Sequence, residues 1–555
     1  MTTLKKDLAK YQPRTEQQDC LDFIEKTLEE KPNTKFFLLD LPTGIGKSYL
    51  ALMIAELYTK RNFGARFDII TNSKLLQDQY SSTFQSINDL KGKENYECET
   101  YGCSCAQGSE FARLNKKPCS DCPHSSARDS FINGKISLTN FYLFILYSLY
   151  MPKVLESRGS NILIVDECHT LDTVISDFIS IKITETILKR LQISDKETIK
   201  RLKEVKTIES YVEFLEYLAG EIPSTIDQIE GSLSSEKRSV VSDKRDNRVS
   251  KVLGGKSNDI KMMQLVTDLQ QYQSKIQIFL KEYKADPHNW VLESQYNEKT
   301  RQNELSLEPI WAYNYLDQYI FSRYDAVFLM SGTILDKNLF CQLNGLDVQS
   351  TVYYSIPSPF PDKNRPIYYM PLGKMSYAAK ENTFKNYIPF IGRLLNKYKD
   401  SKGIIHTNSF ELSNWIQKSI DNPRLVFHES SNKDEVLQAH FNTKEASVIV
   451  SPSMDTGVSF DDDKARFQIV AKVPYPSLAS QKNKMRQKIN PDWYAYRTVQ
   501  SILQIFGRVV RSSSDQGDTI IIDGSFGDVM KYSSHYIPQY IQRVIQRIDV
   551  KIPVK

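Results

Sequence analysis

At 555 residues the chain is too long for one ordinary core and points to three or four domains of about 150 residues each. Hydrophobic residues make up 40% and charged residues 25%, the balance of a soluble globular protein; the longest apolar run, Phe141 to Met151, falls short of the ~18 residues of a membrane span. A net charge of +5 permits a nucleic-acid partner without requiring one.

In chain order, FFLLDL (Phe36 to Leu41) is a short apolar run closed by Pro42 and Gly44. SYLALMIAELYTK follows at helical spacing, which predicts strand, loop and helix. The rhythm returns at FDIITNSKLLQDQYSSTF, with a strand at Phe67 to Thr71, and at NILIVDECHTLD, with a buried strand at Ile162 to Val165. Such alternation predicts a parallel α/β sheet. Between Lys91 and Phe131 it is interrupted by a segment holding Cys98, Cys103, Cys105, Cys119 and Cys122, five of the eight cysteines, which reads as an insertion. From Ser176 to Leu305 long charged segments predict a helical insert with a flexible polar stretch, Ser232 to Asn258. Strand-like runs resume at DAVFLMSGT, GIIHT, RLVFH, ASVIVSPS, RFQIVAKVPYP and DTIIID, a second α/β domain.

The start, MTTLKKDLAKYQPR, has neither the apolar core nor the cleavage site of a secretory signal, so reduced thiols are expected. Cysteines clustered in that setting suggest a metal site.

Thr43, Gly44, Ile45, Gly46, Lys47 and Ser48 in LPTGIGKS end a strand and open a helix. In that setting backbone N–H groups wrap a triphosphate, the lysine reaches its outer phosphates and the serine hydroxyl holds magnesium. Leu41 stands where the G-x-x-x-x-G-K-[ST] pattern has its first glycine. In VDECH, Asp166 ends an apolar strand, where its carboxylate meets the magnesium ion directly or through water. Glu167 is then set to polarise an attacking water, and His169 to report nucleotide state to neighbouring segments. QIFGRVVRS supplies Gln504, Arg508 and Arg511; on a helix the arginines share one face, which suits arginine fingers reaching the γ-phosphate from a second domain. ATP and Mg2+ are the expected cofactors.

Through these segments the chain resembles the superfamily 2 DNA helicases of the XPD/DinG iron–sulfur family, along nearly its whole length. YQPRTEQQ is similar to the adenine-reading Q motif, with Gln17 at the base contact, and ITNSKLLQDQ to motif Ia. LKGKENYEC resembles the segment with the first cluster cysteine, SLTN (Ser137 to Asn140) the stretch before the DEAH box, and SGT (Ser331 to Thr333) motif III. GIIHTNSF resembles motif IV, SPSMDTGVSF motif V with Gly457 at its glycine, and QIFGRVVRS motif VI. The box reads DECH in place of DEAH, and IIDGSF lacks an arginine expected near Gly524. Compact phage or bacterial members, without an N-terminal exonuclease domain, are the versions it resembles.

The resemblance implies an α/β fold of two RecA-like parallel-sheet motor domains. The first comprises residues 1–90, 132–175 and 306–346, and the second residues 347–555. Residues 91–131 form the implied iron–sulfur module and 176–305 a mainly helical, arch-like insert. A 4Fe-4S cluster is implied on four thiolates, Cys98, Cys119, Cys122 and Cys105; Cys105 is taken ahead of Cys103 because two ligands one residue apart rarely both reach one cluster. By spacing alone the cysteines suit zinc equally well. Cys20 and Cys341 read as core thiols.

Lys91, Lys93, Arg113, Lys116, Lys117 and Arg128 give the cysteine segment a charge that suits a phosphate backbone or a solvated face. KNKMRQK, followed by Trp493, Tyr494, Tyr496 and Arg497, mixes charge with rings that stack on bases or fill a core. The implied activity is ATP-driven translocation on single-stranded DNA, 5′ to 3′, with unwinding of duplex. Expected partners are single-stranded DNA, duplex junctions and a replication or repair factor, with no membrane. A monomer in the cytoplasm of a bacterial or infected host cell is expected. A translocase or remodeller, or an RNA helicase, would share every hydrolysis motif.

Overall fold

The computed structural model describes residues 2–9, 11–114, 119–240, 249–297, 302–453 and 460–550. Its framework is two seven-stranded sheets in which every pairing is parallel. The first runs in the order Val352–Ser355, Phe36–Asp40, Ala326–Ser331, Ile162–Asp166, Phe67–Thr71, Ile136–Asn140 and Ile87–Asp89. The second runs Leu425–Phe427, Val448–Ser451, Gly403–His406, Phe467–Val470, Asp518–Ile521, Ile367–Tyr369 and Ile545–Arg547. The two α/β domains expected from the strand–helix rhythm are therefore present.

Strands Phe67–Thr71, Ile136–Asn140 and Ile162–Asp166 are buried along their whole length, as parallel strands covered on both faces must be. Successive side chains feed opposite cores: Leu163 and Val165 join one cluster, Ile162 and Ile164 the other. Helices begin where short polar side chains meet free N–H groups. Ser73 accepts from Leu76, Asn140 from Leu143, and Asp336 from Leu339.

Three features depart from the sequence reading. The edge strand of the first sheet, Val352–Ser355, lies beyond residue 346 and pairs with Phe36–Asp40. The helical insert, dominated by Ile208–Val240 and Val249–Ala285, also contains an antiparallel sheet of Ile181–Ile183, Gln302–Pro309 and Trp290–Asn297. Its exposed residues Ser294, Gln295 and Tyr296 follow one another in the first long strand, so the sequence there shows no simple alternation. Helix Pro491–Phe506 ends at Gly507, so Arg508 and Arg511 lie past its end and share no helical face. Of the polar stretch Ser232 to Asn258, residues 241–248 lie outside the described residues. Among the described residues, no helix is long and apolar enough to cross a membrane.

Candidate nucleotide cleft and cysteine module

The phosphate loop leaves strand Phe36–Asp40 and enters helix Lys47–Arg61 through Gly44 at φ +83° and Gly46 at φ +84°, backbone positions that glycine adopts freely. Gly44 also has no room for a side chain. A Cβ there would sit 2.4 Å from the Arg511 carbonyl oxygen and 2.5 Å from the Phe360 ring, so the second domain closes directly onto the loop. Likewise Gly507 lies against Thr43, whose Oγ1 would be 2.9 Å from an added Cβ.

Gln17 is fully buried and uses both ends of its amide. Its Oε1 accepts from the Tyr11 hydroxyl at 2.8 Å and from Arg14 N–H at 2.9 Å, while Nε2 donates to the carbonyls of Ile45 at 2.9 Å and Gly46 at 3.0 Å. Arg14 Nη1 adds a 2.6 Å bond to the Gly44 carbonyl. Tyr11 in turn stacks on Tyr49 with ring centroids 3.7 Å apart. The loop is thus gripped from outside through its carbonyls.

Lys47 Nζ lies 3.2 Å from Glu167 Oε1, and Glu167 Oε2 is 3.3 Å from His169 Nδ1. Burial alone would raise the Glu167 carboxyl, but Lys47 and His169 outweigh it and hold it below the usual range. Glu167 itself has φ +60°. Its neighbour Asp166 is pushed up to about 6 by burial, against the pull of Lys47 and with the push of Glu167. The Tyr80 hydroxyl donates to Asp166 Oδ2 at 3.0 Å and also meets Ser48. Among the described residues, Asp166 Oδ1, His169 Nε2 and Arg511 Nε are buried without a hydrogen-bond partner.

From His169 a polar chain crosses to the second domain. His169 Nδ1 is 2.9 Å from Ser331 Oγ, Ser331 Oγ is 3.4 Å from Thr333 Oγ1, and Gln504 Nε2 donates to Thr333 Oγ1 at 2.7 Å. Gln500 donates to the Thr333 carbonyl at 2.7 Å, and Arg497 Nη1 to the His169 carbonyl at 3.0 Å. The two arginines part company. Burial lowers the Arg511 guanidinium and Glu167 is the leading acid that opposes this, whereas the charge of Arg508 falls on His406 of its own domain.

Sequence reasoning missed Tyr80 and Asp40. Asp40 accepts from the N–H groups of Ile334 and Leu335 at 3.3 and 3.1 Å and from the Tyr353 hydroxyl at 3.1 Å, which fixes the turn after Ser331 to the strand before the phosphate loop. The polar Asp40 at the end of an apolar strand was the available signal; for Tyr80 there was none. Gly457 lies outside the described residues.

In the cysteine segment, strands Glu97–Cys98 and Cys103–Ser104 form a small hairpin and Cys122 immediately precedes helix Pro123–Asn133. Cys98 Sγ lies 3.7 Å from Cys119 Sγ, and Cys122 Sγ 3.9 Å from Cys105 Sγ. Cys103 stands opposite Cys98 across the hairpin. Burial, followed by the neighbouring thiols, pushes Cys119 up to about 11. Among the described residues, no group of three or more His, Cys, Asp or Glu side chains is arranged to hold a metal ion.

The structure decides between the alternatives left open for two of the basic segments. Lys91 pairs with Asp78 and, at 3.6 Å, with Asp89, so its charge is spent within the protein; Lys116 and Lys117 lie outside the described residues. Lys482 and Arg486 of KNKMRQK, and Trp493 and Tyr496 after it, are buried at 8, 5, 3 and 1% exposure and face protein, not solvent. Arg497 is taken up by Asp172.

The family model described as Helicase C-terminal domain matches residues 393–543, and that described as Type III restriction enzyme, res subunit, matches residues 10–194. A Fanconi anemia group J protein homolog of Gallus gallus is 24% identical over 155 residues, which cover 24% of this chain and 12% of that protein. Among solved structures, one titled XPD_Helicase has a TM-score of 0.62 at 14% identity, covering 97% of this chain and all 100% of its own. The structure of S. tokodaii Xpd4 has a TM-score of 0.56 at 12% identity, covering 96% and 100%. The two family matches thus lie in chain order on the two α/β domains, and the fold of the whole chain is similar to that of the XPD structures.

Proposed function

We propose that this chain is an ATP-dependent DNA helicase that moves on single-stranded DNA, 5′ to 3′, and separates duplex at a junction. The observation that carries the reading is the polar chain from Glu167 through His169, Ser331 and Thr333 to Gln504, which joins the hydrolytic carboxylate to the second domain. A triphosphate competes with Glu167 for Lys47 and so releases that carboxylate to accept a proton from the attacking water. Ser48 and Asp166, whose buried Oδ1 has unmet capacity, would hold Mg2+, which neutralises phosphate charge. Arg511, close to Glu167, is the better-supported arginine finger; Arg508 would act beside it after a shift of the second domain. The direction and the preference for DNA rest on the family resemblance.

The residue ranges read from the sequence are proposed as the motor domains, cysteine module and arch, with the first motor domain extended to include Val352–Ser355. For the module, the paired sulfurs support Cys98, Cys105, Cys119 and Cys122 as one donor set. They would hold a 4Fe-4S cluster, which cross-links the short segments of the module. Zinc is the second reading, because a tetrahedral ion with bonds of about 2.3 Å sets its thiolates about 3.8 Å apart, close to the separation within each pair.

The test is unwinding of 5′-tailed and 3′-tailed DNA duplexes by anaerobically purified protein, with Lys47→Ala as control and iron and zinc measured on the same sample. Unwinding of the 5′-tailed duplex alone, lost in the control, is expected. ATP turnover without unwinding of either substrate would make the chain a translocase, and zinc in a colourless, active protein would replace iron.

A further inference from the structure

We propose that the second α/β domain is latched to the helical insert, so that movement of the ATP cleft is passed to the insert, and that Glu293 is the positioning residue of this latch. The inference deepens the helicase reading and rests on it.

The latch joins helix Gln481–Ile489 of the second domain to the hairpin of Trp290–Asn297 and Gln302–Pro309. Glu293 Oε1 accepts from Ser480 Oγ at 2.6 Å and from Lys482 N–H at 2.8 Å, so a carboxylate of the insert sits on the N-terminus of that helix, where its charge is favoured. One residue into the helix, Lys482 Nζ donates to Ser176 Oγ at 2.7 Å and lies 3.5 Å from Glu308 Oε2. A turn later Arg486 donates to the Ile310 carbonyl just past the hairpin, where the chain re-enters the first domain, with its guanidinium 5.3 Å from the Trp311 ring and 5.4 Å from that of Trp493. Both cations are buried, and buried charges persist only where each is answered by partners.

At its other end the insert meets the cysteine module through far weaker bonds. Arg113 Nη1 and Thr267 Oγ1 are 3.4 Å apart, Thr267 Oγ1 and Glu110 Oε1 also 3.4 Å, at the outer limit of hydrogen bonding, and Arg113 is exposed. One end is held by short bonds to a part-buried carboxylate and two buried cations, the other by long contacts of 3.4 Å. When the cleft moves, the contact between the insert and the module gives first.

Hydrogen exchange read by mass spectrometry tests this on the full chain, with and without Mg2+ and a non-hydrolysable ATP analogue. In the wild type the analogue is expected to alter exchange at residues 42–50 and also at 105–114 and 262–275. In Glu293→Ala the change at 42–50 remains while those at the two distant segments shrink severalfold. DNA-stimulated ATP turnover stays within about twofold and unwinding falls about tenfold, the size of a typical coupling between sites. Ser480→Ala, which removes one bond of the latch, is expected to act in the same direction and serves if Glu293→Ala does not fold. A nucleotide response at 42–50 with none at 105–114 in the wild type, or distant responses that survive both substitutions, would overturn the latch. A wild type with no response at 42–50 would overturn the helicase reading and the latch with it.

Discussion

Lys47 and Glu167 neutralise each other across 3.2 Å, so the cation suited to gripping a triphosphate is held by the carboxylate suited to activating water. Replacing Glu167 by Gln removes the charge that competes for Lys47. ATP affinity is expected to hold or improve while kcat for hydrolysis falls by about 10² to 10⁴, the contribution of a general base. Equilibrium nucleotide binding alongside steady-state turnover checks both halves, and a loss of binding equal to the loss of turnover would refute the assignment.

Gln17 spends all of its amide on holding the phosphate loop. Gln17→Glu has the same shape but cannot donate to the two carbonyls, so it should fail as badly as Gln17→Ala. A rise of about tenfold or more in KM for ATP is expected from loss of buried hydrogen bonds costing about 1–3 kcal/mol. Rescue by Glu would show that the amide donors are idle.

Arg158 is fully buried and donates to Asp68 at 2.9 Å and to the carbonyls of Phe67 and Lys135 at 2.8 and 3.3 Å. It thereby ties the sheet to the loop that follows helix Pro123–Asn133. Arg158→Ala leaves Asp68 without its cation, at an expected cost of about 3–5 kcal/mol. Thermal unfolding should show it as a fall of several degrees, and Arg158→Lys should not restore it, because a lysine lacks the planar fork of donors.

His406 is buried at the end of strand Gly403–His406, and burial lowers its pKa from 6.5 to about 3. The folded protein keeps it neutral while the unfolded chain takes up a proton below 6.5. Stability is therefore lost as the pH falls from about 6.5 towards 3, by about 1.4 kcal/mol per pH unit. Urea unfolding at pH 7.5 and 5.5 should differ accordingly in wild type and less in His406→Asn. Equal pH dependence in the two would place the effect elsewhere.

Cys105 and Cys122 face each other, as do Cys98 and Cys119. Replacing any of these four by Ser is expected to abolish or sharply reduce bound metal per chain, whereas Cys103→Ser leaves it unchanged. Elemental analysis of anaerobically purified variants decides, and metal loss in Cys103→Ser would exchange the places of Cys103 and Cys105.

Much of the architecture was legible because strands of a parallel sheet are covered on both faces and so appear as continuous apolar runs, as FFLLD and ILIVD do. The hairpin at 290–309 is only part-buried and interspersed with glutamates, so it merged with the charged helical segments before it. Asp40 acts on Ile334 and Leu335 through a chain separation that no local pattern can express. Arg486 and Trp493 were left between two readings for a related reason: a cation beside rings has the same composition whether it awaits a nucleic acid or, as here, is buried against two indoles. Gly507 likewise decided where the helix Pro491–Phe506 stops, which spacing of the arginines left open.

The strand Val352–Ser355 closes one side of the first sheet beside Phe36–Asp40, and the Ile356 N–H reaches back to the Asp40 carbonyl at 3.3 Å. The connection between the two halves is thus a structural member of the first. A gene fusion or a protease that divided the chain at residue 346 would strip the strand leading into the phosphate loop of one of its two neighbours and leave a row of unpaired N–H and C=O groups, a template for aggregation. Exchange of second domains between relatives by recombination would keep the first half intact only with a crossover placed beyond Ile356.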